Sequence, residues 1–200
     1  MESEHDDRGC TPRAGDVLSS RRIACVVSLA LAVMVPMATG LPARAEPVVA
    51  ESEEIGLVNE ERPERDVLFG GQPTAEQLLA LAASGYRTVI DLRMPDESRG
   101  FDQAALLQQK GVEYQVIGWS KETLEDPQTI AAAVAAFESA ERPLLVHCAS
   151  GNRVGALYYA VLAGRGVEPE AALEQARDNG LRSDALAETI GKWLKESDNP

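Results

Sequence analysis

The chain has 200 residues and a formal net charge of −13. A surface this acidic repels nucleic acid and anionic lipid, which excludes a basic-patch binding role. The length suits one domain with extra terminal segments, the 44% apolar content suffices for a buried core, and no Gly-X-Y period is present.

The first element in chain order is an expected export signal over residues 1–45. Arg21 and Arg22 precede an uncharged run whose apolar heart, Ile23–Val35, holds Ser28 as its one polar residue. Pro36, Gly40 and Pro42 then break the run, and Ala43-Arg44-Ala45 offers small residues at the positions a signal peptidase reads. Cleavage before Glu46 is expected. The run is short and broken for the alternative, an uncleaved membrane anchor. Either way the rest of the chain lies outside the inner membrane, periplasmic or secreted, because positive charge stays cytoplasmic. Removing 1–45 takes away five acidic and five basic residues, so the charge stays at −13, and it leaves one cysteine, Cys148, beside one histidine, His147. A single thiol cannot close an intramolecular disulfide, and in an oxidising compartment it is a liability unless it has chemistry to do.

Residues 46–65 are acidic, weakly patterned and carry Pro47 and Pro63, which reads as a flexible leader. The domain proper is expected over 66–200. Val67–Phe69 is a short strand ended by Gly70-Gly71. Thr74 then caps a helix, with Gln77 at the capping-box position and Gly85 as its stop. Tyr86–Leu92 is a strand, Arg93–Gly100 a polar loop and Phe101–Lys110 a helix. Val112–Ile117 is a third strand, Gly118–Pro127 a second polar loop, and Pro127 opens a helix that runs to about Ala140. Pro143–His147 is apolar on both faces, as a central, doubly covered strand is. Cys148–Arg153 is a tight loop, a helix follows from Val154, and two more are expected near Glu168–Asp178 and Asp184–Glu196. This alternation predicts an α/β sandwich with a mostly parallel central sheet flanked by helices.

Residues 147–153 carry the chemistry. A buried strand runs into a small-residue loop and then into a helix, which aims backbone N–H groups and a helix N-terminus at one point and so forms an anion site. Gly151 lets the backbone turn inward without a Cβ. Arg153 can clamp an oxyanion through two parallel hydrogen bonds. The same positive potential favours a nucleophilic thiolate at Cys148. His147 sits behind the cysteine, where its ring can bond backbone carbonyls and fix the loop, and Ser150 can donate to the thiolate or to a departing group.

His147-Cys148-x-x-Gly151-x-Arg153 resembles the signature of the cysteine-dependent phosphatases of the tyrosine and dual-specificity superfamily. Phe69–Thr74 and Thr88–Arg93, in the same order, resemble its bacterial branch, which includes the phosphatase-like domain of beta-lactamase-hydrolase-like proteins. The resemblance implies a tyrosine-phosphatase-like sandwich and a nucleophilic Cys148 that forms a cysteinyl-phosphate from a phosphate monoester. The N–H groups of Ala149, Ser150, Gly151, Asn152 and Arg153, with the Arg153 guanidinium, bind the transferring group. The resemblance also implies that the partner is a phosphorylated protein or a small phosphate ester and that no metal or cofactor is required. Four residues separate Cys148 from Arg153, where the superfamily usually has five, and Val154 stands where a Ser or Thr is usual. Four is also the spacing of many rhodanese-type sulfurtransferases, so a Cys148 persulfide stays open, as does a phosphate- or phosphoprotein-binding module without turnover. For the general acid, Glu122 is the nearest carboxylate; Glu125 and Asp126 lie further along that loop, and Asp96 and Glu97 lie on the other polar loop.

Overall fold

The computed structural model describes residues 54–197. The expected export signal and residues 46–53 of the expected leader lie outside the described residues. The strands are β1 (Glu61–Glu64), β2 (Val67–Gly70), β3 (Thr88–Asp91), β4 (Glu113–Val116) and β5 (Leu144–His147). The helices are α1 (Ala75–Ala83), α2 (Gln103–Gln109), α3 (Pro127–Ser139), α4 (Asn152–Gly164), α5 (Pro169–Asp178) and α6 (Asp184–Ser197), with a short 3-10 turn at Thr123–Glu125. The sheet order is β1-β2-β5-β3-β4. β2, β5, β3 and β4 run parallel, and β1 joins β2 antiparallel. The α/β sandwich with a mostly parallel sheet is the architecture that the alternating pattern predicts.

Alternate residues of the central strands feed two cores. Phe69, Ile90, Leu144 and Val146 pack with α3–α6, while Leu68, Val89 and Leu145 pack with Leu78 and Leu81 of α1 and Leu107 of α2. β5 is buried throughout, and so is α4 from Val154 to Leu162. A helix apolar on all sides belongs at the centre of a layer, and α4 packs against α3, α5 and α6. Tyr158 and Tyr159 are packing residues within it. The capping box read at Thr74 is present: its hydroxyl accepts from Gln77 N at 3.2 Å, and Gln77 Oε1 accepts from Thr74 N at 2.8 Å.

The leader expected over 46–65 needs correcting in its described part. Glu61–Glu64 is β1, and Leu57 is buried. The Glu60 carboxylate accepts from the amides of Ile55, Gly56 and Leu57 at 3.3, 2.8 and 3.1 Å, which curls the segment back on itself. Charge and Pro63 hid this strand, but an edge strand tolerates both because one side of its ladder is unpaired. The glycine pair makes the approach possible. A Cβ on Gly70 would stand 2.8 Å from Leu57 Cβ, and one on Gly71 would stand 2.9 Å from Val58 Cβ and 2.8 Å from the Ala149 carbonyl oxygen.

Gly155 performs the same service for α4. A Cβ there would stand 2.2 Å from the Leu181 amide nitrogen and 2.8 Å from its Cα. Backbone atoms cannot swing aside as a side-chain tip can. Gly155→Ala is therefore expected to cost about 2–3 kcal/mol, read as a lower urea midpoint at unchanged m-value; an unchanged midpoint means that α4 and Leu181 separate freely.

Candidate active site

The ends of three parallel strands meet at the site. Gly70 of β2 and Asp91 of β3 both register with His147 of β5. The crevice beyond the carboxyl ends of parallel strands is where such sheets bind ligands. The chain leaves β5 at Cys148, which is 1% exposed and whose amide donates to the Gly70 carbonyl at 3.3 Å. Gln72 N donates to the Ala149 carbonyl at 3.2 Å, so the loop hangs from the glycine pair on one side. Gly151 has φ 83°, a left-handed conformation that favours glycine, and it caps α4. Its amide points back and donates to Cys148 Sγ at 3.1 Å. The sulfur thus faces a backbone donor at the positive end of a thirteen-residue helix.

Arg153 is held by four acceptors. Its Nη1 donates to Glu97 Oε1 at 2.6 Å, to the Trp119 carbonyl at 3.0 Å and to the Leu92 carbonyl at 3.2 Å, while Nη2 donates to Glu97 Oε2 at 2.9 Å. A guanidinium has five N–H groups. These contacts engage both hydrogens of Nη1 and one of Nη2, which leaves the Nε and second Nη2 hydrogens as a parallel fork. The Glu97 hydrogen bond raises the Arg153 pKa, and the charge of nearby Cys148 adds to it. The Arg153 hydrogen bond, in turn, holds the Glu97 carboxyl at about 2. Glu97 is therefore ionised at neutral pH and has no proton to give. It acts on Arg153 as an anchor rather than as an acid.

Glu97 is itself braced by Met94 N at 2.8 Å and by Arg93 Nε at 3.3 Å. Arg93 also donates to Gln72 Oε1 and to the Ser98 carbonyl. Arg93 is 6% exposed and acts as a buried brace. Below it, fully buried Asp91 accepts from Arg93 N at 2.8 Å, Arg99 Nε at 2.7 Å and the Tyr114 hydroxyl at 2.8 Å. His147 Nδ1 lies 3.9 Å from Asp91 Oδ1 and 3.5 Å from the Cys148 carbonyl oxygen. Burial lowers the His147 pKa to about 4 against the opposing pull of Asp91, so the ring is neutral behind the cysteine.

The remaining expected site residues divide by location. Ala149 and Ser150 are exposed at the crest of the loop. The Asn152 side chain turns away from the crevice, where its Oδ1 accepts from Arg182 N at 2.7 Å and Ser183 N at 3.1 Å. Its amide and that of Arg153 are first-turn donors of α4, which have no intrahelical acceptor. Trp119 is 1% exposed and packs in the core, contributing its carbonyl to Arg153. Glu122, three residues on, has an exposed carboxylate that accepts from the Ser120 hydroxyl at 2.9 Å. No three His, Cys, Asp or Glu side chains cluster as metal ligands would among the described residues. The sequence had offered no sign of the Glu97–Arg153 pair, whose members are 56 residues apart, nor of the bracing by Asp91, Arg93 and Arg99.

A cysteine and an arginine share one strand-to-helix loop at the carboxyl end of a parallel sheet, which places a thiol within an oxyanion-binding turn. The chain belongs to the family described as DSP-PTPase phosphatase fused to NAD+ kinase, whose model matches residues 37–190. It is thus a phosphatase-class hydrolase, of a family that acts on phosphorylated substrates. Solved structures share the fold. A mutant form of Tk-PTP is 18% identical with a TM-score of 0.58, the match covering 70% of this chain and 97% of that one. TpbA of P. aeruginosa, solved as a Cys-to-Ser variant in complex with pTyr, is 19% identical with a TM-score of 0.56 over 72% and 86%. PTPMT1 is 19% identical with a TM-score of 0.56 over 68% and 94%. A search among curated proteins finds no match.

Proposed function

We propose that the protein is an exported phosphatase that hydrolyses phosphate monoesters through a cysteinyl-phosphate on Cys148. The thiolate forms a bond to phosphorus as the ester P–O bond breaks. The leaving alcohol or phenol departs with a proton, and water then displaces the sulfur to release inorganic phosphate. The observation that carries this reading is the Gly151 amide on Cys148 Sγ with the Arg153 guanidinium beside it. The amides of Ala149, Ser150, Asn152 and Arg153 with the Arg153 guanidinium serve the equatorial oxygens of a transferring phosphoryl group, while the Gly151 amide serves the sulfur. His147, neutral behind the loop, supports its backbone.

Glu122 stands on the loop whose Trp119 carbonyl touches Arg153, and it is the proposed leaving-group acid. Its own backbone N–H and the Ser120 hydroxyl hold its carboxyl below the usual range, so little of it is protonated at neutral pH. General acid help is commonly worth about 10²–10⁴ in rate. An enzyme with a weak acid favours esters that leave unaided, which are aryl phosphates. The complex of the related TpbA fold with pTyr supports the same substrate class. Export is supported by Arg21-Arg22, the broken apolar run and Ala43-Arg44-Ala45.

Hydrolysis of p-nitrophenyl phosphate by the purified protein under reducing conditions tests the chemistry, beside mass spectrometry after thiosulfate. Ester turnover with no added sulfur on Cys148 is expected. A persulfide without ester turnover replaces the reading by sulfur transfer, which the four-residue loop favours, and anion binding without either replaces it by a phosphate-binding module. An exported form beginning at Glu46 is expected, and retention of the intact chain in the cytoplasm overturns the export assignment.

A further inference from the structure

The segment before β1 reaches across to the loop at one residue. Asn59 has φ 49°, the left-handed region that a non-glycine residue seldom occupies, although Asn tolerates it better than most. Such a conformation persists only where its surroundings hold it. Here they do. Val58 O accepts from Gly71 N at 2.7 Å, Glu60 gathers the amides of residues 55–57, and Gln77 Nε2 donates to the carbonyls of Ile55 and Gly56 at 3.2 and 2.8 Å. The Asn59 amide nitrogen donates to the Ser150 carbonyl at 2.9 Å, and its Oδ1 accepts from Arg182 Nη2 at 3.2 Å. The two partners, one an acceptor and one a donor, fix which way the amide faces. Arg182 N in turn donates to Asn152 Oδ1 at 2.7 Å, so the chain Ser150–Asn59–Arg182–Asn152 closes around the outside of the loop.

The consequence follows from peptide geometry. In a planar trans peptide the C=O and the following N–H point in opposite directions. The Ser150 carbonyl and the Gly151 amide share one such unit. Asn59 draws the carbonyl outward, and the amide therefore faces inward, where it meets Cys148 Sγ at 3.1 Å. Gly151, without a Cβ, would otherwise let this peptide turn over at little steric cost. We propose that Asn59 is a positioning residue for the reaction, holding the Ser150–Gly151 peptide in the orientation that presents a donor to the nucleophile. This rests on the phosphatase reading of Cys148 for its effect on rate, but not for its effect on the loop.

The test is Asn59→Gly, which keeps the left-handed backbone and deletes only the amide. Exchange of the Gly151 amide with deuterium, followed by NMR, is expected to quicken about fivefold, the equivalent of one ordinary hydrogen bond. The kcat for p-nitrophenyl phosphate falls by a similar factor, about fivefold, with KM moving less, because the donor stabilises the charge that returns to sulfur as water displaces it. Asn59→Asp serves where the glycine variant folds poorly: it retains an acceptor for Arg182 and turns an acceptor on the Ser150 carbonyl, with the same faster exchange expected. Gly151 exchange at the wild-type rate in a folded variant overturns the proposal. Faster exchange in a protein whose wild type hydrolyses no ester leaves the positioning role standing and overturns the phosphatase reading instead.

Discussion

Cys148→Ser is expected to lower turnover of p-nitrophenyl phosphate by about 10⁴-fold or more, since removal of a covalent nucleophile takes away nearly the whole catalysed path. Binding of a non-reacting oxyanion such as tungstate is expected to survive. In the proposed mechanism the anion is held by the amides of Ala149, Ser150, Asn152 and Arg153 and by the Arg153 guanidinium, none of which the substitution touches. Serine is smaller than cysteine and its hydroxyl accepts the Gly151 hydrogen bond in place of sulfur, so the loop keeps its shape. Isothermal titration with tungstate beside steady-state kinetics separates the two effects. Turnover that survives in the serine variant sinks the cysteinyl-phosphate assignment. Loss of anion binding together with turnover moves the thiolate itself into the binding site's framework.

Glu97→Gln is expected to reduce kcat by about 30-fold, the equivalent of ~2 kcal/mol of transition-state stabilisation, with KM changing much less. Two effects oppose each other. Removing the carboxylate frees the Arg153 charge, which strengthens ground-state attraction for an anion. It also replaces one of the two carboxylate acceptors that aim the guanidinium by an NH2 donor, and a bidentate clamp works only when aimed. The first effect acts on KM and the second on kcat, so the split between them is diagnostic. An unchanged kcat means that the Leu92 and Trp119 carbonyls orient Arg153 without help.

The same substitution has a pH signature. The Glu97 carboxyl is depressed from its ordinary 4.5 to about 2. Its stabilising contribution is complete above pH 4.5 and is lost as pH falls towards 2, because the unfolded chain takes up the proton first. After allowance for solvent screening of a partly exposed pair, it amounts to roughly 1–2 kcal/mol. His147 acts at higher pH. Burial lowers it from 6.5 to about 4, so its neutral form favours folding fully above 6.5, and this contribution declines as pH falls to about 4. Urea midpoints at a series of pH values are expected to fall in both windows for the wild type. In Glu97→Gln the loss below pH 4.5 flattens, while the decline between 6.5 and 4 persists.

Much of this molecule was legible in its sequence because the determining interactions are local. The doubly apolar Leu144–Val146, the capping box at Thr74 and Gln77, and Pro127 at a helix start each announce an element within a few residues. The loop from Cys148 to Arg153 was legible for the same reason: nucleophile, turn glycine and arginine lie within one strand-to-helix connection. β1 was hidden because its charged, proline-bearing sequence says nothing of pairing, which comes from the room that Gly70 and Gly71 leave for Leu57 and Val58.

The sequence by itself determined the class of fold, the order of its elements and the loop that carries the chemistry. Only the tertiary structure decided what surrounds that loop. Glu97 is one of five loop carboxylates that the sequence left as candidate acids, and nothing within its neighbourhood in the chain marks it as the anchor of Arg153. Asn59 sits in a stretch whose composition suggested a leader, 91 residues from the carbonyl it holds. Both partnerships depend on where parallel strands end relative to one another. The right-handed return of each crossover to the same edge of the sheet brings loops distant in sequence to a common crevice. Periodicity and propensity act over a few residues, whereas the aim of a guanidinium or of a peptide plane is set by contacts across the whole sheet.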